Sequence, residues 1–188
     1  PALRPYVRAC PGVRLPGTVD GFELVVRAIL GQQISVRAAR TFAGRIAEAC
    51  GTPLEPPAGD VRHLFPTAEQ LARCRLDGLG LTSARGATLR RVADLAASGA
   101  LDLSGAADPD ATRDALLAVQ GIGPWTVAYV SMRALRDADA FPVGDLGVRL
   151  GFEALGLAST PGAMLQHAER WRPWRAYAVM HLWNSLHG

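Results

Sequence analysis

The stretch from Leu116 to Arg149, LLAVQGIGPWTVAYVSMRALRDADAFPVGDLGVR, leaves a chain few ways to fold. An apolar helical run stops at Gly121-Ile122-Gly123, and Pro124 opens a second helix at once. Glycines on both sides of Ile122 let the backbone turn sharply and leave amide N–H groups uncovered by side chains. Proline suits a first helical position because it has no N–H to leave unpaired. The turn therefore offers bare donors beside the positive end of a helix dipole, a combination that attracts phosphate. Residues 116–136 are read as a helical hairpin, with Gly121, Ile122, Gly123 and Thr126 as the positions that face an anionic backbone.

Beyond the hairpin, residues 140–149 form a loop in which Phe141-Pro142-Val143-Gly144 delivers one acid, Asp145, to the start of the next helix. Its structural role is an N-cap that accepts backbone N–H bonds. Capping and catalysis are compatible, because a cap fixes the direction of a carboxylate that can then stabilise a developing cation. Trp125 and Tyr129 lie four residues apart on the helix leaving the hairpin and share one face.

Composition narrows what such a site can do. The chain has 188 residues, enough for one sizeable core or two small lobes. Its formal net charge is +3, and all twenty basic residues are arginine. Mild basicity permits nucleic-acid binding without establishing it. With no lysine, no side-chain amine is available for a Schiff base. The amine of Pro1 lies outside the motif. Cys10, Cys50 and Cys74 are odd in number and far apart, which suits reduced thiols, and they make neither a CxxC site nor a four-cysteine cluster for iron and sulfur. His63, His167, His181 and His187 have no helical i,i+4 pairing, so no catalytic metal is expected. There is no apolar window long enough to span a membrane and no signal peptide, so a cytoplasmic protein is expected.

Taken in order, the residues before Asp20 read as irregular. Asp20 caps GFELVVRAILGQQ, whose Phe22, Val25, Val26, Ile29 and Leu30 recur at helical spacing. A second helix follows from Ser35 to Gly51, with Val36, Ala39, Phe42, Ile46 and Ala49 on one side. Between them, Gly31-Gln32-Gln33-Ile34-Ser35 is a short polar turn. Residues 52–66 read as a Pro-rich loop, Thr67 opens a short helix, and a longer one runs from about Ser83 to Ser98 with Leu89, Val92, Ala93 and Leu95 inward. Of Arg85, Arg90 and Arg91, at least two are expected merely to solvate a helix face. Asp108-Pro109 starts the first hairpin helix, and Pro173 starts the last helix, which carries Trp174, Tyr177, His181 and Trp183.

The order of hairpin, helix and loop acid closely resembles the helix-hairpin-helix, Gly/Pro-rich, Asp superfamily of DNA base-excision glycosylases. Within it, the FExxVRAILGQ run, GIGPWT and ERWxPWRxYAxxHxW resemble the bacterial DNA-3-methyladenine glycosylase II group over nearly the whole chain. That resemblance implies an all-α, two-lobed helical bundle with the site in a cleft. One lobe is expected to take residues 20–105 plus the C-terminal helix, and the other residues 106–170. It implies that Asp145 is catalytic, that Trp125, Tyr129 and Trp183 line a base pocket, and that Trp171, Trp174 and Tyr177 are structural. Gln33 stands at the position that enters the duplex, where the group carries an apolar wedge. The carbonyls of Leu117, Val119 and Gly121 would hold a structural Na⁺ or K⁺, with no other cofactor.

The implied activity is that of a monofunctional glycosylase excising N-alkylated bases from duplex DNA, without strand cleavage. Cationic N-alkylpurines suit electron-rich rings by cation–π attraction of about 0.5–2 kcal/mol. Lyase-type relatives carry a lysine where this chain has Trp125. The group also has an α+β domain ahead of this region, so a longer parent is expected, in some relatives fused to a methyl-accepting repair domain. A monomer associated with the bacterial nucleoid is expected. Two alternatives stay open: a glycosylase of the same fold for another damaged base, such as an oxidised purine, and a non-catalytic DNA-binding module.

Overall fold

The structure is a computed structural model that describes residues 2–186. It is mostly helical, as expected, and divides into two compact units, residues 19–123 and residues 1–18 with 124–188. The amine of Pro1 and His187 lie outside the described residues.

The unit of residues 19–123 opens with α2 (Gly21–Leu30), capped by Asp20, whose side chain accepts from Glu23 N. Val25, Val26, Ile29 and Leu30 are fully buried. Helix α3 (Val36–Cys50) is capped by Ser35 and ends at Gly51. Its inward face differs from the expected one: Ala43 and Ile46 are buried, while Val36 is 71% exposed. Val36 is the first residue of α3, and at that end the apolar repeat does not mark burial. Helix α4 (Ala68–Arg73) starts with a full capping box between Thr67 and Gln70. Helix α5 (Ser83–Ala97) packs on α4 and α2 and buries Leu89, Val92 and Ala93, with Leu95 half-buried. Asp108 caps α6 (Pro109–Leu117).

Two expectations for this unit are corrected. Residues 52–66 are not a bare loop: β1 (Thr52–Ala58) pairs antiparallel with β2 (Val61–Leu64) through Thr52 with Leu64, Pro53 with His63 and Ala58 with Val61. Nearly every residue of both strands is exposed, so no alternation of apolar and polar residues marked them. Prolines are tolerated on such an edge. Cys50 and Cys74, expected as free thiols, form a disulfide with Cα atoms 5.5 Å apart. One ends α3 and the other follows α4, so the fold closes a separation of 24 residues. Cys10 is a free, exposed thiol.

The second unit is built from α1 (Arg4–Ala9), α7 (Pro124–Arg133), α8 (Leu146–Ala154), α9 (Pro161–Ala168), a 3₁₀ turn (Glu169–Trp171) and α10 (Arg175–Asn184). Helix α1 interrupts the lead-in expected to be irregular, and residues 10–20 have no helix or strand. It tolerates Pro5 because the proline sits in the first turn. Met132, Phe141, Val148, Phe152, Met164, Ala176, Val179 and Leu182 form its core, with Trp171 packed against them. Helix α10, grouped by the sequence reading with residues 20–105, packs here on α8. It begins at Arg175, two residues after Pro173. Asp139 fixes that beginning: it accepts from Arg175 Nε at 2.8 Å and Nη2 at 2.9 Å and also pairs with Arg172, while Ala176 N donates to Ala138 O at 2.9 Å. The bond from Arg172 holds Glu169 below the usual carboxylate range and raises Arg172 itself.

Candidate active site

The loop before α8 closes on itself, with Val143 N on Phe141 O and Asp145 N on Pro142 O, and Gly144 takes φ +87° to turn the chain toward the helix. Asp145 then caps α8: its Oδ1 accepts from Val148 N at 2.9 Å. The expected capping role is therefore present, and it is only one of three bonds. Trp183 Nε1 donates to the same Oδ1 at 2.8 Å, and Trp125 Nε1 donates to Oδ2 at 3.0 Å. A residue from α7, one from α10 and the start of α8 thus converge on one half-buried carboxylate.

Sequence reasoning placed Trp125, Tyr129 and Trp183 near Asp145 but missed that both indole N–H groups bind the acid. With those donors engaged, the two rings have only π faces and C–H edges left for any ligand. Trp125 and Tyr129 share a face of α7, as expected, and stack on each other with centroids 5.4 Å apart and planes 11° apart. The Arg133 guanidinium lies 5.8 Å from the Tyr129 centroid, so this stack already attracts one cation. Trp171 is structural, packing edge-on against Phe141, Phe152 and His167. Trp174, expected to be structural, is 59% exposed. It lines a groove of ≈ 870 Å³ with Tyr177 and several arginines, and that groove contains neither Asp145 nor its indole partners.

The hairpin turn is built within the other unit. Gly121 has φ +93°, a conformation side chains rarely adopt, and a Cβ there would collide with the Thr88 hydroxyl. That hydroxyl is placed to donate to Gln120 O at 2.9 Å and to Ala84 O at 3.0 Å. Gln32 Nε2 donates to Gly121 O at 3.1 Å, and Arg85 Nη2 donates to Gln32 O at 2.7 Å. The polar turn between α2 and α3 is thereby tied to the hairpin turn. Next to Gln32, Gln33 is exposed and left-handed at φ +58°. Ile122 is buried, and Thr126 is only 1% exposed, so its side chain does not present at the surface.

Arg85, Arg90 and Arg91 divide differently from the expectation of solvated side chains. Arg85 holds Gln32, and Arg90 donates to Ala72 O and Cys74 O, capping α4. Arg91 lines a hollow of ≈ 700 Å³ with Thr88, Ala118, Gln120 and Gly121. Among the carbonyls named for a monovalent cation, Val119 O accepts from Ile122 N and Gly121 O from Gln32 Nε2, while Leu117 ends α6. Each carbonyl oxygen has two lone pairs, so these bonds leave Val119 O and Gly121 O able to accept once more. Among the described residues, no group of three or more His, Cys, Asp or Glu side chains is placed to hold a metal.

A helical hairpin with a left-handed glycine at its turn, followed by an acid that caps the next helix between two indoles, defines a base-excision repair fold. Residues 26–176 match the family model described as HhH-GPD superfamily base excision DNA repair protein, and the chain belongs to that superfamily. It is 45% identical over 186 residues to a Mycobacterium tuberculosis protein named probable bifunctional transcriptional activator/DNA repair enzyme AlkA, covering 99% of this chain and 38% of that one. It is 36% identical over 178 residues to DNA-3-methyladenine glycosylase 2 of Escherichia coli, covering 93% of this chain and 61% of that one. The chain thus spans between about two-fifths and three-fifths of the length of these curated relatives. The crystal structure of a DNA-3-methyladenine glycosidase from Bacillus halodurans is 26% identical and superposes with a TM-score of 0.76 over 98% of this chain and 83% of that one.

Proposed function

We propose that this chain is the catalytic region of a monofunctional DNA glycosylase that excises N-alkylated purines of the 3-methyladenine and 7-methylguanine type from duplex DNA. The observation that carries this reading is the Asp145 carboxylate, held by Val148 N, Trp183 Nε1 and Trp125 Nε1 beside the Trp125 and Tyr129 stack. Two of the similar proteins are named as 3-methyladenine glycosylases, the Escherichia coli relative at 36% identity and the Bacillus halodurans structure at 26%, which supports the reading.

An N-alkylated purine is cationic and leaves with its bonding electrons without prior protonation, so one acid suffices. As the N-glycosidic bond breaks, positive charge develops on the sugar, and the Asp145 anion stabilises it. Water then adds its oxygen to the sugar carbon, and its proton passes to Asp145. Oδ1 already accepts two bonds and Oδ2 one, so Oδ2 keeps the lone pair for this work.

Reaching the base requires extruding it from the stack at a cost of a few kcal/mol. In this reading Gln33 fills the gap, its exposed left-handed position suiting a finger. Backbone amides at Gly121, Ile122, Gly123 and Thr126 hold a nearby phosphate, and a Na⁺ or K⁺ on the carbonyls of Leu117, Val119 and Gly121 stiffens that turn. No lysine is present for strand cleavage, so an abasic site is the product. No helix among the described residues is long and apolar enough to cross a membrane. In this reading the chain acts in the cytoplasm, as a monomer on nucleoid DNA.

The test is release of free base from N-methylated duplex DNA by the wild type and Asp145→Asn, with strand breaks scored before and after alkali. Release by the wild type alone, with breaks only after alkali, is expected. Equal release by both would remove Asp145 from the mechanism.

A further inference from the structure

Gly147 has no counterpart in the sequence reading, yet it stands in the first turn of α8, two residues beyond Asp145. A Cβ built there would lie 2.7 Å from Trp183 Cδ1, 2.9 Å from Trp183 Nε1 and 3.2 Å from Asp145 Oδ1. The first two distances are shorter than real carbon contacts allow, and the neighbour is the five-membered edge of a half-buried indole. One turn later, Gly151 does the same for α10, where a Cβ would lie 2.8 Å from Leu182 Cβ. Two glycines inside a nine-residue helix are each unfavourable by about 1 kcal/mol relative to alanine. Close approach of α10 explains the pair.

We infer that Gly147 is a positioning residue for the reaction proposed above: it leaves the space through which the Trp183 indole reaches Asp145 Oδ1. It rests on that reading of Asp145. The consequence is a division of labour within one carboxylate. Val148 N and Trp183 Nε1 together saturate Oδ1 and leave it an anchor, while Oδ2, with the single Trp125 donor, faces the reacting atoms. A side chain at 147 displaces the indole, frees Oδ1 and lets the carboxylate turn about its cap.

Gly147→Ala is the variant to make, alone and combined with Trp183→Phe, which removes the N–H and shortens the ring. A hydrogen bond to a charged group contributes enough that its loss lowers kcat about tenfold to a hundredfold in Gly147→Ala, with KM little changed. In the Trp183→Phe background the same substitution should lower kcat less than about threefold, because the bond it breaks is already gone. An equal loss in both backgrounds, or none in either, overturns the inference. A second readout does not depend on turnover. The Trp183 indole N–H resonance, assigned by its absence in Trp183→Phe, should move upfield in Gly147→Ala, and an unmoved resonance also overturns it. If Gly147→Ala fails to fold, the double variant should recover a folded state through its smaller ring; a double variant that also fails places the effect in α8–α10 packing as a whole and sinks the proposal. Equal base release by wild type and Asp145→Asn would instead remove Asp145 from the reaction, leaving the resonance to decide on Gly147.

Discussion

The hydroxyl of Thr88 occupies the space that a side chain on Gly121 would need, so a residue in the middle of α5 determines what the hairpin turn can be. Gly121→Ala combines a strained left-handed backbone, on the order of 1–2 kcal/mol, with a clash against a buried neighbour. The variant should melt several degrees lower and lose affinity for duplex DNA. Truncating the neighbour in Thr88→Ala/Gly121→Ala should recover part of the melting temperature but not the affinity. Thermal unfolding and duplex titration check both.

Asp145 caps α8, and the catalytic role proposed for it separates from the cap by substitution. Asparagine caps as well as aspartate does, but its NH2 cannot accept from Trp125 Nε1, so Asp145→Asn should keep the bond from Val148 N, lose about 1 kcal/mol of stability and lose base release by a hundredfold or more. Asp145→Ala should lose activity to the same degree and about 2–3 kcal/mol of stability, because the cap and both indole bonds go together. Denaturant unfolding read alongside release rates distinguishes them. A stable Asp145→Ala would mean that the bond to Val148 N contributes little to α8.

Neighbouring arginines on α5 should respond in opposite ways. Arg90 satisfies two carbonyls at the end of α4, and Arg90→Ala should cost about 1–3 kcal/mol of stability. Arg91 lines the hollow beside Gly121. Arg91→Gln should leave unfolding unchanged, weaken duplex binding and reduce the slope of log affinity against log salt by about one. An unchanged salt slope would show that Arg91 does not contact phosphate.

Two histidines set an acid limit on folding. Burial lowers the pKa of His181 below its ordinary 6.5, and burial followed by the charge of Arg170 lowers that of His167. Both are harder to protonate in the fold than once unfolded. Their contribution is complete above about pH 6.5 and is lost as pH falls through the lowered folded values. The melting temperature should therefore drop from pH 7 toward pH 5, and His181→Phe should flatten that slope.

What the sequence made legible was whatever is written locally. Asp20, Ser35, Thr67, Asp108 and Asp145 announce helix starts because a cap acts within three residues of itself. The turn at Gly121 and the shared face of Trp125 and Tyr129 follow from spacing alone. The strands at 52–64 were hidden because exposed strands carry no apolar alternation, and α1 because six residues make too short a period. The Cys50–Cys74 bond, the grip of Arg85 on Gln32 and the glycine under Trp183 each depend on segments that meet only after folding. The spacing of Gly147 and Gly151 was a usable sign, since two glycines four apart in a helix are costly without a close neighbour.

The chain of bonds from Arg85 to Gln32 to Gly121 bears on how such a protein would search a genome. A finger on a flexible loop must be ordered anew at each site it probes, and that entropy would be charged to every encounter. Here the residue next to Gln33 is fastened to the hairpin turn that is proposed to grip the backbone. If the proposed roles hold, gripping and probing become a single event, and time spent on undamaged DNA is set by the weak spots of the duplex rather than by reorganisation of the protein.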